Sequence, residues 1–191
     1  MPRPPRPIVA GAVYHVTSRG NRKHEIFADE SDCSRFLHRL ARVVETHGWC
    51  CHAYCLMPNH YHLVVETPRA DISRGMQRLN SGHAQWFNRR HGVDGHLFQG
   101  RFHAVLVEST AHLLELVRYL ALNPVHAGLC RHPGGWRWSS YRAMTGAERP
   151  PRFLTVNSIL RNFGDEPARA KERLADFVLD VAMLLAVSDG F

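Results

Sequence analysis

The sequence predicts an α+β fold of the ferredoxin-like kind, a split β-α-β-β-α-β antiparallel sheet backed by two helices. Three observations predict it. Four runs of β-forming residues alternate with two helix-period runs in that order. A third helix-period run follows the fourth strand, and further helical stretches close the chain. At 191 residues, with 45% hydrophobic and 21% charged residues, the chain suffices for one such domain and its core.

The elements follow in order. "IVAGAVYHVTSRG" (8–20) is rich in β-formers and runs into an Arg-Gly-Asn turn signal, so it reads as a strand. "DESDCSRFLHRLARVVETHG" (29–48) opens on Asp29 as N-cap and sets Phe36, Leu37, Leu40, Val43 and Val44 at helical spacing before Gly48. "WCCHAYCLM" and "HYHLVVE" are two strands joined through Pro58-Asn59. Asp71 opens a second helix with a stripe of Ile72, Met76, Leu79, His83 and Trp86, ending by "RRHG". "LFQGRFHAVLVES" (97–109) is the fourth strand. The added helix begins at Thr110 and is expected to stop near Asn123, because Pro124 disfavours helical geometry in the residue before it. Three segments result: a basic Pro-rich arm (1–7), a main domain (8–146) and a helical extension (147–191). In that extension "AERPPRF" reads as a linker, and "LTVNSILRNFG" and "DEPARAKERLADFVLDVAMLL" as two helices, the second with Pro167 in its first turn.

The net charge of +7 is unevenly spread: residues 163–191 carry three basic and six acidic side chains, leaving +10 on residues 1–162. That balance points toward a polyanionic partner. No membrane span is expected, and "MPRPPRPIVAG" has no apolar stretch that would make it a signal peptide. Five cysteines, an odd number with no secretory mark, suggest reduced thiols in a cytoplasmic protein. "WCCHAYC" invites a zinc reading. On a strand, however, Cys51 and Cys55 would share a face about 13 Å apart, with Cys50 opposite, too far for one ion. These thiols are expected to be small core residues.

In "MPNHYHLVVE", His60 and His62 stand at i, i+2 and share one face of a strand, with Tyr61, Leu63 and Val65 on the other. Two such imidazoles can converge on one divalent ion or simply decorate a solvated face. No H-x-H-x-D-H pattern follows, and the chain is too short for a full (β/α)₈ barrel, so a further ligand must come from elsewhere. In "RYLALNPV", Tyr119 and Asn123 are four apart on one helix face, where an amide oxygen could join the ion with a phenol beside it. Taken singly, a helix tyrosine is ordinary packing and an Asn before Pro an ordinary helix stop.

Five collinear stretches, "YHVTSRGN", "LMPNHYHLVV", "LFQGRFHAVLVE", "YLALNPVHAGL" and "WRWSSYRAMTG", carry a resemblance over residues 8–146. The chain resembles the REP-associated tyrosine transposases, single-tyrosine members of the HUH endonuclease superfamily. The resemblance implies that His60 and His62 are the histidines of the HUH motif and bind Mg²⁺ or Mn²⁺ with Asn123, and that Tyr119 is the nucleophile. Tyr61 stands where the motif has a bulky hydrophobe. Departures are His126, where Arg is common, and Phe102-His103, where Tyr-Lys is common. The implied chemistry is cleavage of single-stranded DNA through a 5′-phosphotyrosine, and strand transfer, on substrates with imperfect palindromic hairpins. Candidate DNA contacts are Arg19, Asn21, Arg22 and Lys23 at the end of the first strand, Arg74 and Arg78 on one helix face, and Gln99 with Arg101 beside the fourth strand. Trp86, Trp136 and Trp138 are candidate stacking platforms for unpaired bases, although the place of Trp86 on the apolar stripe points to the core. Two other readings remain: a hairpin-binding or single-strand-binding protein derived from a transposase but without catalysis, and a small zinc hydrolase, which leaves the collinear motifs unexplained. The sequence leaves monomer and homodimer equally open.

Overall fold

A computed structural model describes residues 8–180. The Pro-rich arm (1–7) and the last residues of the stretch expected as the final helix lie outside the described residues. Four strands, β1 (Ala12–Arg19), β2 (Cys50–Met57), β3 (His60–Thr67) and β4 (His103–Leu106), form one sheet in the order β2-β3-β1-β4, with every neighbouring pair antiparallel. That is the split β-α-β-β-α-β order expected. Helices α1 (Glu30–His47) and α2 (Ile72–His91) cover one face; α3 (Thr110–His126) packs on the other, against β2.

Sequence explains the helical layer well. Asp29 caps α1 by accepting the backbone amides of Ser31 and Asp32, and Gly48 ends it in the left-handed conformation. Phe36, Leu40, Val43 and Val44 are buried against the sheet. On α2 the buried stripe ends on Phe87; Trp86 sits at its margin beneath the Arg90 guanidinium. Tyr14, Val16, Tyr61, Leu63 and Val65 supply the sheet's side of this core and are fully buried.

Elsewhere the structure differs. The first strand starts at Ala12, because the chain turns at Gly11 (φ +73°). The fourth strand is only four residues long. Phe98 bridges Gly20 and His103 pairs with Thr17, so residues 99–102 contribute two residues too many and bulge, with Gln99 still donating its amide to the Arg19 carbonyl. The added helix continues through Pro124 to His126. It forgoes the one hydrogen bond a proline cannot donate and ends where Gly128 (φ +70°) turns the chain left-handed. A bulge in β2 leaves His52 unpaired between Cys51, opposite Val65, and Ala53, opposite Val64. The extra residue turns Cys51 toward α1 and α2 and Cys55 toward the other face, so these thiols do not share a side.

The chain on either side of the stretch expected as a linker runs along the outer edge of β2, and that stretch itself sets the Phe153 ring 5.8 Å from the Tyr54 ring. Trp138, Ser140 and Thr155 exchange backbone hydrogen bonds with Leu56, Tyr54 and Cys51, which covers an edge that would otherwise be open. "LTVNSILRNFG" is helical only at Asn157–Leu160, which is α5, after a short α4 (Tyr141–Thr145). Glu166 caps α6 (Pro167–Leu179), whose Ala170, Leu174 and Val178 join the main hydrophobic core. Among the described residues, no helix is long and apolar enough to cross a membrane.

Candidate active site

Strand alternation puts His60 and His62 on the face away from α1 and α2. Cross-strand pairing sets Arg19 beside His60, Thr17 beside His62 and His15 beside Val64 on that same face. Above them, α3 carries Leu116, Val117, Leu120 and Ala121 into the core, and this fixes which side of the helix meets the sheet. Four residues apart on that helix, Tyr119 and Asn123 both reach His62. The Tyr119 ring meets the His62 ring edge-on at 5.5 Å between centroids, and the Asn123 amide nitrogen lies 3.5 Å from His62 Nε2. The four residues singled out in the sequence therefore stand together.

Hydrogen bonds orient the imidazoles. His60 Nδ1 lies 2.7 Å from the Asn59 side-chain oxygen, which can only accept, so Nδ1 carries the proton and Nε2 the lone pair. His62 Nδ1 lies 2.9 Å from His15 Nε2, and the two rings stack 17° from parallel. With Nδ1–H donated to His15, His62 also turns an Nε2 lone pair toward Asn123. The Asn123 amide, turned over, presents its oxygen at the same spot.

Charge is disfavoured on this cluster. Burial, then the Arg19 charge, lowers the His60 pKa from 6.5 to about 4. Burial, then His60, His15 and Arg19, lowers that of His62 to about 3. His15 falls to about 4 through burial and the nearby His103 and His112. At neutral pH the imidazoles are thus free bases, the form that ligates metal. Among the described residues, no group of three or more His, Cys, Asp or Glu side chains is placed to hold a metal ion. The further polar side chain that the structure brings to His62 is the Asn123 amide. Two neutral imidazoles and an amide oxygen would suit a divalent cation that retains water in its remaining positions.

His15 is absent from the sequence-based candidates, although β1 signals it: Tyr14, Val16 and Ser18 point inward while His15, Thr17 and Arg19 alternate with them.

The expected DNA contacts separate into four places. Arg19 lies on the histidine face. Arg22 and Lys23, at φ +52° and +63°, form an exposed turn just beyond it, where left-handed backbone in non-glycine residues stores strain. Asn21, Gln99 and Arg101 line a cavity of about 790 Å³ between α2 and the 95–102 loop. Arg74 and Arg78 lie on the outside of the helical layer, remote from His60 and His62. Trp136 and Trp138 are partly buried against the core, Trp136 donating its indole N–H to the Leu56 carbonyl, so neither is a free stacking platform.

Comparison with known proteins follows the same lines. The REP-associated tyrosine transposase solved with a bound REP hairpin superposes with a TM-score of 0.65, covering 81% of this chain and 92% of that one at 19% identity. A candidate transposase from Deinococcus radiodurans R1 scores 0.44 at 18% identity, covering 60% of this chain and 92% of its own. The tRNA(His) guanylyltransferase of Saccharomyces cerevisiae scores 0.47 at 10% identity, covering 87% of this chain and 77% of its own. No curated protein matches the chain significantly. The profile of the family described as transposase IS200 like matches residues 8–123, which takes in all four strands, the histidine pair and the helix through Asn123. The chain belongs to the IS200-like transposases.

Proposed function

We propose that the protein is a metal-dependent endonuclease and strand transferase for single-stranded DNA, with Tyr119 as its nucleophile. The observation that carries this reading is the meeting of the Tyr119 ring and the Asn123 amide on His62, from a helix and a strand far apart in sequence. His60 and His62 through Nε2, and Asn123 through its amide oxygen, would hold Mg²⁺ or Mn²⁺, which would supply Lewis-acid polarisation of the scissile phosphate.

The chain's own residues do the rest. Arg19, beside His60, offers a guanidinium to the same phosphate or its neighbour. A free phenol, with a pKa of about 10, is a weak nucleophile, and placement against the phosphate compensates for that weakness. Tyr119 is 46% exposed, so a strand can reach its oxygen. That oxygen bonds to phosphorus as the bond from phosphorus to the 3′ oxygen breaks. The phenol loses its proton and the 3′ oxygen gains one. The product is a 5′-phosphotyrosine and a free 3′-hydroxyl, and attack by another 3′-hydroxyl reverses the step on a new strand without ATP. The solved relative with a bound REP hairpin supports hairpin-containing DNA as the substrate.

The test is a denaturing gel of protein with labelled single-stranded hairpin DNA from sequence flanking its own gene, in Mg²⁺, Mn²⁺ or EDTA. A covalent adduct is expected with metal, absent in EDTA and absent in Tyr119→Phe, while DNA affinity stays within about twofold because only one hydroxyl is lost. A native-gel shift with no adduct in either metal favours the hairpin-binding reading instead.

A further inference from the structure

The turn after β1 holds two successive non-glycine residues, Arg22 and Lys23, in the left-handed conformation and buries neither of them. Packing does not account for it, and backbone strain without burial points to a use elsewhere. The hydrogen bonds of the turn converge on Asn59. Its backbone carbonyl accepts the Gly20 amide at 2.8 Å, and the Pro58 carbonyl beside it accepts the amides of Ile26 and Phe27. Its side-chain nitrogen donates to the Lys23 carbonyl at 3.2 Å, and its side-chain oxygen accepts from His60 Nδ1 at 2.7 Å. Within the turn, Lys23 and His24 donate their amides to the Gly20 and Asn21 carbonyls. Gly20 has no room for a side chain, since a Cβ there would meet the His24 carbonyl oxygen.

His60 and Asn59 cannot settle their own hydrogen bond between them. An amide turned over occupies the same space, and a neutral imidazole carries its proton on either nitrogen. Two arrangements of the pair are therefore self-consistent. In one, the amide oxygen accepts from Nδ1–H and Nε2 keeps the lone pair. In the other, the amide NH₂ donates to a bare Nδ1, and Nε2 carries the proton and cannot ligate. The third partner decides. A backbone carbonyl only accepts, so the Lys23 carbonyl draws the Asn59 NH₂ toward itself and leaves the amide oxygen facing His60. That carbonyl stands where it does because Arg22 and Lys23 turn the chain left-handed, at φ +52° and +63°.

We infer that Asn59 is a positioning residue through which the left-handed turn at Arg22 and Lys23 holds His60 in its ligating tautomer. The role belongs to the backbone of that turn and not to the Lys23 side chain. It rests on the metal-dependent reading above and adds to it a control that lies outside the ligands, in a turn reached from the preceding strand. Partners of this kind behind a ligating histidine fix its tautomer and ring orientation, and their loss weakens metal binding.

The experiment reads the His60 ring nitrogens of the metal-free full chain by long-range proton–nitrogen correlation at pH 8, beside Mn²⁺ affinity by calorimetry. In the wild type His60 shows one tautomer, protonated on Nδ1. Lys23→Gly removes the side chain but accepts the left-handed backbone, so the tautomer persists and Mn²⁺ affinity stays within about twofold. Lys23→Pro fixes φ at about −65° and displaces the carbonyl. His60 then becomes a mixture of tautomers and Mn²⁺ affinity falls roughly tenfold or more. Adding Asn59→Asp to Lys23→Pro restores the Nδ1–H tautomer and most of the affinity, because a carboxylate accepts whichever way it is turned. If Lys23→Pro does not fold by circular dichroism, Gly20→Ala forces the same turn open from its other end, with the same rescue expected. A wild-type His60 that is mixed or protonated on Nε2 overturns the proposal, as does an Nδ1–H tautomer that persists in folded Lys23→Pro or Gly20→Ala. Failure of Asn59→Asp to restore the tautomer also overturns it, since the turn then acts through packing alone. The metal reading is scored separately: a wild type that ignores Mn²⁺ while its His60 tautomer follows the turn defeats that reading and leaves the relay standing.

Discussion

His62 and His83 lie on opposite sides of the same sheet, and both are buried imidazoles whose pKa is driven down by burial, to about 3 and about 4. By titration alone they are alike. They differ in where the unprotonated nitrogen points. His83 Nε2 lies 2.8 Å from the Ile26 carbonyl and so donates to it, while its Nδ1 is buried without a partner behind Phe27, Phe36 and Phe87. His62 meets His15 through Nδ1 and turns its Nε2 toward Asn123, with the exposed Tyr119 ring beside it. A neutral histidine marks a site when its free nitrogen faces an approachable space, and otherwise it is part of the packing.

Four tests break or sharpen that comparison, beginning with the largest effect. Phe36 touches both Tyr61 and His83 and is fully buried. Phe36→Ala is expected to cost about 3–5 kcal/mol in urea unfolding, while the folded fraction binds Mn²⁺ as before. On the other face, His62→Ala removes a proposed ligand, so Mn²⁺ affinity by calorimetry should fall about 100-fold or more, whereas His83→Ala leaves it unchanged in folded protein. His15→Phe retains a ring against His62 but removes the acceptor for its Nδ1–H. Mn²⁺ affinity then falls roughly tenfold, and the His62 nitrogen resonances of the metal-free protein show a mixture of tautomers.

The smallest effect is graded with pH. Between about 4 and 6.5, folded His83 stays neutral while its unfolded counterpart binds a proton, so unfolding takes up protons and stability rises with pH. The contribution is complete above about 6.5 and is lost as pH falls toward 4. Denaturation at pH 7.5, 6 and 5 should show a loss of roughly 1 kcal/mol per pH unit from His83 alone, and His83→Phe should flatten the profile by that share.

Much of this was legible in the sequence, for identifiable reasons. Strand alternation and helix period report which residues share a face, and those two rules suffice to pair His60 with His62 and Tyr119 with Asn123. They do not report which element lies above which face. Arg74 and Arg78 are neighbours on α2, as expected, but α2 packs on the side of the sheet away from the histidines, so they sit far from Tyr119. Nor does local sequence reveal a one-residue bulge. His52 looks like any strand residue, yet its insertion reverses the side on which Cys55 emerges. Pro124 misled in the other direction, because a helix anchored by buried Leu120, Ala121 and Leu122 tolerates one missing hydrogen bond in its last turn. His15 needed the register of β1 on β3, which exists only once the sheet is assembled.

Arg118 immediately precedes Tyr119 and turns the other way. It is buried, and its guanidinium lies 3.8 Å from the centre of the Phe177 ring on α6. The tyrosine's helix is therefore mounted from the rear by a segment nearly sixty residues downstream that contributes nothing to the histidine face. A chain ending before Pro167 would retain every residue assigned to the proposed reaction and lose the part that keeps two of them aimed. Its failure would be one of assembly, with intact components out of alignment.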